Sequence, residues 1–494
     1  MSAHLPVLIV VVPLLAAALA PLAALVSARL VRGVTVGALV ATAAAAGAAL
    51  ARALHEGAIS YHLGGWPPPW GIEYVIDPLA GGMALLLSVF SLIGAVYAGP
   101  FLAEAPRLGA GGFHAVYLLL VTGLLGIVVT GDLFNLYVFL EISSLAVYAL
   151  VALGGARGVV ASLRYLLLGT VAGSFYLLGV GYLYALTGTL NMADMAVRLA
   201  PLGDSPGLTV GVAFIVVGLA IKMALFPLHG WLPDAYTFAP APVTGLIAAV
   251  MTKVSAYALF RILFFVVAPA TVAADALRLL GWAAALAAVA GSAMALTQTD
   301  VRRMLAYSSV GQMGYIVMGI AIGTPLALTG ALLHILNHAV MKACLFLVAG
   351  GVLFRTGVAD VVGYSGTARR LPVSMAAFSI AAVSLVGLPP TAGFFSKWYL
   401  LVAAIDEGLW PFALALVASS LMTAVYLFRI VERSYFRERT EDAAQPPRRI
   451  MQELPAGMLA PIVLLAVAVL LLGILNQTVV TQIIAFALPG PGGR

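Results

Sequence analysis

Charged residues and cysteine are scarce in this sequence. Only 9% of the 494 residues are Asp, Glu, Lys or Arg, whereas 63% are hydrophobic, and the mean hydropathy is +1.09. A soluble domain of this composition could not solvate its surface, which excludes a water-soluble enzyme or a nucleic-acid-binding protein. The single cysteine, Cys344, lies in an apolar run. It excludes a disulfide framework and a cysteine-based metal or cluster site.

Motifs for cofactor or metal chemistry are also missing. The sequence has no phosphate-cradling glycine loop, no cysteine ligand set and no convincing Ser-His-Asp order. We therefore expect no cofactor, no metal and no catalytic residue, so that any redox reaction belongs to a partner. The first apolar stretch, 5–26, lacks the preceding positive charge of a secretory signal, and we interpret it as a retained helix.

Apolar stretches separated by short polar joints fill the rest of the sequence. A membrane-spanning helix needs about 20 apolar residues, and the pattern predicts an all-α membrane protein of about 14 transmembrane helices, here called spans. We place them near 5–26, 33–54, 77–100, 113–130, 132–153, 160–187, 207–237, 242–266, 272–296, 300–322, 325–354, 372–405, 410–431 and 456–480. Spans 7 and 12 are predicted to be discontinuous, because each contains a stretch rich in proline and glycine.

Arginine is distributed unevenly over the joints. Sixteen arginines lie in odd-numbered joints, whereas four lie in or beside even-numbered joints. Because cytoplasmic loops carry the excess of Lys and Arg, we expect the odd-numbered joints on the cytoplasmic side. An even number of spans then places both termini on the outer face of a prokaryotic-type inner (cell) membrane.

Lysine shows the opposite distribution. The four lysines of the sequence, Lys222, Lys253, Lys342 and Lys397, all fall within predicted spans, as does one acid, Glu141. A charge at the bilayer centre costs about 2.5–3.5 kcal/mol or more, so such residues usually face the interior of the bundle and serve transport. We expect Glu141 to pair with Lys222, either as a first proton site or as a structural ion pair.

Two parts of the sequence resemble each other. Each discontinuous span has one lysine beside its break, Lys222 before the first and Lys397 after the second. Spans 4–8 and 9–13 are therefore predicted to form two five-helix repeats, which an odd number of helices places in opposite orientations. The predicted organisation is 1–112 for spans 1–3, 113–266 for the first repeat, 267–432 for the second repeat, and 433–494 for span 14 and the tail.

A file of titratable residues follows one face of span 11. His334, His338 and Lys342 are spaced by four residues, so they stack about 6 Å apart on a helix. Histidine titrates near neutral pH and can pass a proton between its two nitrogens. We interpret the file as a proton wire. The alternative is a polar seam in which the histidines bond to backbone carbonyls and Lys342 extends toward the membrane surface.

Four further residues are candidates for a proton path. Lys253 is expected to relay protons from Lys222 toward the histidines. Lys397 is expected to form the exit beside the second break, and the alternative is a side chain that anchors its helix at the membrane surface. His229 and Asp234 lie at the first break and are candidate half-channel lining residues. His229 would equally suit a buried structural role.

Five stretches carry a family resemblance: 139–144, 221–235, 300–315, 337–343 and 387–397. They resemble the antiporter-like family shared by the D-type member of Mrp multisubunit cation/proton antiporters and the proton-pumping subunits of respiratory complex I. The resemblance implies fourteen helices, two inverted repeats, a Glu and Lys pair, a central relay and a terminal acid or base. The residues in those positions are Glu141, Lys222, Lys253, His338 and Lys397.

The resemblance also implies a function. Segment 187–194 looks most like the Mrp type, which implies a proton-translocating subunit of a multisubunit Na⁺/H⁺ antiporter. Its partners would be other membrane subunits, the lipid bilayer, protons and sodium ions. The alternative is a proton-pumping subunit of a complex I-type NADH:quinone oxidoreductase or a membrane-bound hydrogenase. The sequence is also compatible with a non-transporting scaffold and with an autonomous secondary transporter.

Overall fold

Long apolar helices make up most of the computed structural model, which describes residues 4–104, 109–203, 205–267, 271–437 and 453–488. Twelve helices within those ranges are long and apolar enough to cross a membrane. Two further crossings consist of shorter helices on either side of a break. The predicted all-α membrane fold of about 14 spans is confirmed. Four of the arginines in the odd-numbered joints, Arg107, Arg439, Arg448 and Arg449, lie outside the described residues.

The helices follow the predicted spans in order, and most predicted ends fall within a few residues. They are α1 Leu5–Val26, α2 Ala28–Glu56, α3 Pro78–Glu104, α4 Ala110–Val129, α5 Leu133–Ala152, α6 Ala156–Thr187, α7 Met192–Leu199, α8 Pro206–Lys222, α9 Leu232–Phe238, α10 Ala241–Leu246, α11 Thr252–Arg261, α12 Thr271–Leu296, α13 Val301–Ile322, α14 Pro325–Thr356, α15 Thr367–Arg370, α16 Pro372–Val386, α17 Ala392–Asp406, α18 Trp410–Phe436, α19 Ala456–Ile474 and α20 Asn476–Val479. The π-helical turn Ile247–Met251 joins α10 to α11, so span 8 is one continuous helix.

A short β-hairpin lies between α2 and α3 and was not predicted. Strand β1 (Ile59–His62) pairs antiparallel with β2 (Glu73–Ile76). Its loop exposes Trp66 and Trp70, aromatic residues that suit a membrane interface. Tyr74 forms a further backbone bridge to the segment before α5 and so attaches the hairpin to the bundle.

The two repeats contain the same backbone arrangement. Asp132 caps α5, because its carboxylate accepts a hydrogen bond from the Asn135 amide at 2.7 Å. Its backbone forms a bridge to Asn191, which follows α6. Asp300 caps α13 in the same way at 2.9 Å, and its backbone bridges to Asp360 after α14. Because five spans separate the two bridges, they lie at opposite faces of the membrane. The shared pattern is that of two inverted units.

Glycine allows neighbouring helices of each repeat to approach closely. A Cβ on Gly218 of α8 would lie 2.7 Å from the Ala172 carbonyl oxygen of α6. A Cβ on Gly291 of α12 would lie 2.4 Å from the Gly311 amide nitrogen of α13. Small residues at such contacts are typical of helix packing in membranes. The close approach brings the polar side chains described below within reach of one another.

Candidate functional site

Each broken span places a lysine at a freed helix end. The α8 helix ends at Lys222 before the chain resumes as α9, and α16 ends at Val386 before α17, which carries Lys397. A helix C-terminus leaves carbonyls unpaired and carries partial negative charge, which favours a cation. The Lys397 ammonium donates to the carbonyls of Leu385 at 2.7 Å and Val386 at 3.0 Å.

Glu141 and Lys222 lie in contact, as the sequence predicts. The Lys222 Nζ atom is 3.3 Å from Glu141 Oε1 and donates to Ser144 Oγ at 2.6 Å. The Lys222 side chain is 5% exposed, but that of Glu141 is 27% exposed. The acid is therefore not buried deep in the bundle, which corrects the prediction. It reaches the bundle surface past Gly173 of α6, where a Cβ would lie 2.5 Å from Oε1.

Lys253 is fully buried on α11 and has one described hydrogen-bond partner. Its Nζ atom donates to the carbonyl of Ala248, which belongs to the π-helical turn before α11. Such turns are rare and occur frequently at functional sites. Within the described residues, no acidic side chain forms an ion pair with Lys253.

A cavity of about 10 Å³ lies between Lys222 and α11. Its polar lining comes from Ser143 and Ser144 of α5, Tyr165 of α6, Lys222 of α8 and Ser255 of α11. This volume is room for about one water molecule, and the hydroxyl groups provide the hydrogen bonds that a buried water needs. The cavity therefore connects the first lysine with the helix that carries Lys253.

The rings of His334 and His338 stack with centroids 5.7 Å apart and planes inclined by 3°. His334 is hydrogen-bonded to Ser396 Oγ at 2.9 Å and to Gln312 Oε1 at 3.0 Å. Both ring nitrogens of His338 are buried without a partner among the described residues. Buried polar groups without a partner are rare. Neither histidine bonds to a described backbone carbonyl, the contact that the polar-seam alternative requires.

Lys342 continues the file one helical turn later. Its Nζ atom donates to the Leu305 carbonyl at 2.9 Å and to Ser308 Oγ at 2.8 Å. The Tyr426 hydroxyl donates to the same Ser308 oxygen at 2.7 Å. Lys342 is fully buried and does not extend toward the membrane surface.

Lys397 lines a cavity of about 340 Å³ at the second break. Besides the two carbonyls, its Nζ atom contacts Ser420 Oγ at 2.9 Å and lies 5.0 Å from the centroid of the Tyr315 ring. The neighbouring Trp398 is exposed, whereas Lys397 is buried. The ammonium group points into the bundle, which disfavours an anchor at the membrane surface.

His229 and Asp234 lie in different surroundings at the first break. Asp234 accepts from Arg164 at 2.6 Å and from Arg303 at 2.8 Å. These arginines belong to α6 and α13, one from each repeat, so Asp234 joins the two halves. His229 stacks on Phe226 with centroids 5.3 Å apart, and its Nδ1 atom is buried without a described partner.

The hydroxyl groups that hold the lysines were not predicted. Ser144, Ser308 and Ser420 each accept from one lysine, at 2.6, 2.8 and 2.9 Å. A signal for them was present, because the sequence contains three Ser-Ser pairs, at 143–144, 308–309 and 419–420. Each pair lies in an apolar span and provides one of these hydroxyls.

Similarity to known proteins extends over most of the chain. The family described as NADH:quinone oxidoreductase/Mrp antiporter, TM matches residues 130–423. The NADH-quinone oxidoreductase subunit N of Desulforudis audaxviator is 55% identical over 99% of each chain. The D-type member of the Na⁺/H⁺ antiporter of Alkalihalophilus pseudofirmus is 35% identical over 83% of this chain and 82% of the relative. A chain of the membrane-bound sulfane sulfur reductase, an archaeal respiratory membrane complex, matches with a TM-score of 0.90, 32% identity and coverage of 98% of this chain and 97% of that chain.

Proposed function

The chain belongs to the family of NADH:quinone oxidoreductase and Mrp antiporter membrane subunits, and from that premise we propose that it carries protons along a defined row of side chains. It works as one subunit among other membrane subunits of a larger complex. The proposed route begins at Glu141 and Lys222, crosses by Lys253 and His338, and ends at Lys397. The arginine-rich face of the bundle is the cytoplasmic face in this proposal.

The observation that carries the proposal is a row of buried lysines, most of which have no acidic partner among the described residues. Among the described residues, Lys222 has an acidic partner, whereas Lys253, Lys342 and Lys397 are held by carbonyls and hydroxyls. Transfer of an ammonium group from water into a protein interior costs several kcal/mol, and an apolar residue would stabilise the bundle as well or better. We interpret the row as sites that accept and release a proton in turn.

Lys222 is the proposed switch at the entrance. Its ammonium contacts both Glu141 and Ser144, and the small cavity toward α11 begins at the same group. In one position Lys222 rests on Glu141, and in the other it turns toward Lys253. Because like charges repel strongly in a low-dielectric interior, the inward position drives the next proton ahead of it.

His338 is the proposed central acceptor. An imidazole can take a proton on one nitrogen and release it from the other, and both nitrogens of His338 are without a described partner. His334 stacks on it and contacts Ser396 of α17, the helix that carries Lys397. The histidine pair therefore links the centre to the proposed exit, and Lys342 is a further proposed site one turn away.

For the complex itself, we favour a redox-driven assembly of the complex I type, with this chain in the position of subunit N. The subunit N relative matches almost the whole length of both chains and has the higher identity of the two curated relatives. This reverses the order expected from the sequence, in which the Mrp type came first. The second candidate is membership of a Na⁺/H⁺ antiporter, supported by the relative from Alkalihalophilus pseudofirmus.

Purification of the native complex distinguishes the two candidates. Co-purification of subunits that hold iron–sulfur clusters and flavin supports the redox-driven assembly. A complex of membrane subunits alone, with proton flux that depends on sodium, supports the antiporter.

Lys253→Leu tests the proton route in the assembled complex. The substitution removes the central ammonium, and we expect proton flux per complex in proteoliposomes to fall by a factor of about 100, the scale of positioned proton-transfer groups. Arg278→Leu is the control, because Arg278 is exposed and paired on its own helix. If the chain were a scaffold, Lys253→Leu would reduce the amount of complex but leave the flux per complex unchanged.

A further inference from the structure

The cavity that Lys397 lines opens on the outside of the helix bundle. It has a volume of about 340 Å³ and lies between the second break, α17 and α18, and this volume is within the range of sites for small molecules. Five of the residues that line it are exposed: Leu388, Trp398, Val417, Leu421 and Phe428. Because exposed apolar side chains in the middle of a membrane-spanning helix face hydrocarbon, a ligand reaches this cavity from the bilayer.

A polar end and apolar walls give the cavity the character of a site for an amphiphile. Among the described residues that line it, Lys397 carries the one charge and Ser420 carries the one hydroxyl. The Lys397 Nζ atom and the Ser420 Oγ atom are 2.9 Å apart. Gly387 leaves space beside them, because a Cβ there would lie 2.9 Å from Lys397 Cδ and 3.6 Å from its Nζ atom.

The positive charge at the polar end has no carboxylate beside it. The Lys397 ammonium donates to the carbonyls of Leu385 and Val386 and to Ser420 Oγ, which together use its hydrogens. These acceptors carry partial charges, and none of the ion pairs in the described part of the chain includes Lys397. A carboxylate in the cavity would therefore meet an uncompensated charge in a medium of low dielectric constant, where attraction is stronger than in water. The Ser420 hydroxyl can donate its own hydrogen to the same carboxylate.

The depth of Lys397 in the membrane decides which anion can reach it. Lys397 lies in the second turn of α17, and the helix ends at Asp406, about 14 Å further along its axis. This distance is about half of the hydrocarbon thickness of about 30 Å. The phosphate of a phospholipid stays with the headgroups at the membrane surface, whereas a protonated fatty acid is uncharged and can carry its carboxyl group into the hydrocarbon. The position of Lys397 therefore favours a fatty acid over a phospholipid.

We propose that this space, here called the Lys397 cavity, binds a long-chain fatty acid with its carboxylate beside Lys397 and Ser420. The acyl chain lies along α18, where Leu421, Ala424 and Phe428 line the cavity at helical spacing. The acid enters in its neutral form and binds when the lysine is also neutral. Its O–H bond then breaks and the proton passes to the amine, so that a carboxylate and an ammonium form together and the net charge stays unchanged.

Occupation of the Lys397 cavity inhibits transport at the proposed exit. A carboxylate beside the ammonium favours the charged form of the lysine, so the release of a proton from Lys397 becomes slower. This consequence rests on the proposed function, but the binding of the fatty acid does not. The site can therefore be tested without any measurement of proton flux.

The experiment uses the full-length protein in phosphatidylcholine nanodiscs, with dibromostearic acid as the probe. Bromine quenches the fluorescence of a tryptophan that it contacts, and Trp398 lines the cavity. We expect a saturable quenching that is lost in Trp398→Phe, in addition to the linear quenching of other lipid-exposed tryptophans. The methyl ester of the probe, which cannot ionise, should need about tenfold more for the same saturable quenching. Equal quenching by acid and ester would overturn the carboxylate assignment, and the absence of saturable quenching would overturn the site.

Variants of the Lys397 cavity test its polar end and its apolar wall separately. Lys397→Met removes the charge and should abolish the saturable quenching, whereas Lys397→Arg keeps the charge and should retain it. Ala424→Phe fills the cavity without changing its polar end and should also abolish the saturable quenching. Ala418→Phe is the matched control, because Ala418 is a partly buried alanine of the same helix outside the cavity lining. Unchanged quenching in Lys397→Met or in Ala424→Phe would overturn the fatty-acid site and would leave the proposed proton route standing.

Discussion

Serine takes the place that a carboxylate commonly occupies beside a buried lysine. Ser144, Ser308 and Ser420 each hold one ammonium group, and each comes from one of the three Ser-Ser pairs of the sequence. A hydroxyl can accept from an ammonium and can also rotate to donate to a neutral amine. A carboxylate would stabilise only the charged ammonium form of the lysine. The serines therefore hold the lysines in place while both protonation states remain usable.

Ser144→Ala tests this role at the entrance. The substitution leaves Lys222 with Glu141 as its described side-chain partner, so the pair should separate less readily and proton flux per complex should fall about fivefold to tenfold. Ser88→Ala is the control, because the buried Ser88 hydroxyl donates within its own helix to Ala84 at 2.7 Å. Equal flux in the two variants would contradict the role.

Glu141 and Lys222 should act as one unit. In Glu141→Gln the lysine loses its acid, and in Lys222→Met the acid loses its base, so each single variant should lose most of the proton flux. The double variant should be about as active as the weaker single variant, since residues that act together give strongly non-additive losses. Losses that multiply in the double variant, measured as flux per complex, would show independent roles.

At the scale of helices, glycine decides where the polar groups reach each other. On α6, Gly173 leaves room for the Glu141 carboxylate, whereas a Cβ on Gly181 would meet nothing within 4 Å. The two positions therefore form a matched pair for substitution on one helix. Both changes raise helix propensity by the same amount.

Gly173→Ala is expected to displace Glu141 from Lys222. Misplacement of a reacting group by about 1 Å can lower a rate by a factor of about 100, and we expect at least a tenfold loss of proton flux on that scale. Gly181→Ala should retain the wild-type flux. A normal flux in Gly173→Ala, with correct assembly shown by complex abundance, would remove Glu141 from the route.

The short helix α9 is tied to both repeats by Asp234. Asp234→Asn leaves Arg164 and Arg303 without an acidic partner. The Arg164 side chain is 63% exposed, so water screens its ion pair with Asp234 and that pair contributes little to stability. We expect a destabilisation of about 1–2 kcal/mol, most of it from the less exposed Arg303. Thermal unfolding of the purified protein measures it, with Asp275→Asn in an exposed pair as the control. Equal unfolding temperatures for the two variants would show that the contacts of Asp234 with Arg164 and Arg303 do not stabilise the fold.

At the scale of the whole molecule, the sequence predicted the spans and their breaks, which depend on local signals. The apolar length of α1 and the prolines at both breaks are visible along the chain, so the spans and their interruptions were correct. The exposure of Glu141 was not visible, because it depends on Gly173 on a neighbouring helix. The β-hairpin was missed because its four-residue strands are too short to give an alternating pattern.

For each buried lysine, a hydrogen-bond acceptor precedes it in the sequence, and this order has a consequence for biosynthesis. Lys222 and Lys342 are held by serines on α5 and α13, which leave the ribosome before them. Lys253 and Lys397 are held by carbonyls within their own spans. A nascent chain inserted from its N-terminus therefore already contains an acceptor for each ammonium group when that lysine enters the translocon. The order in which the helices are made is thus compatible with four buried lysines in a single membrane protein.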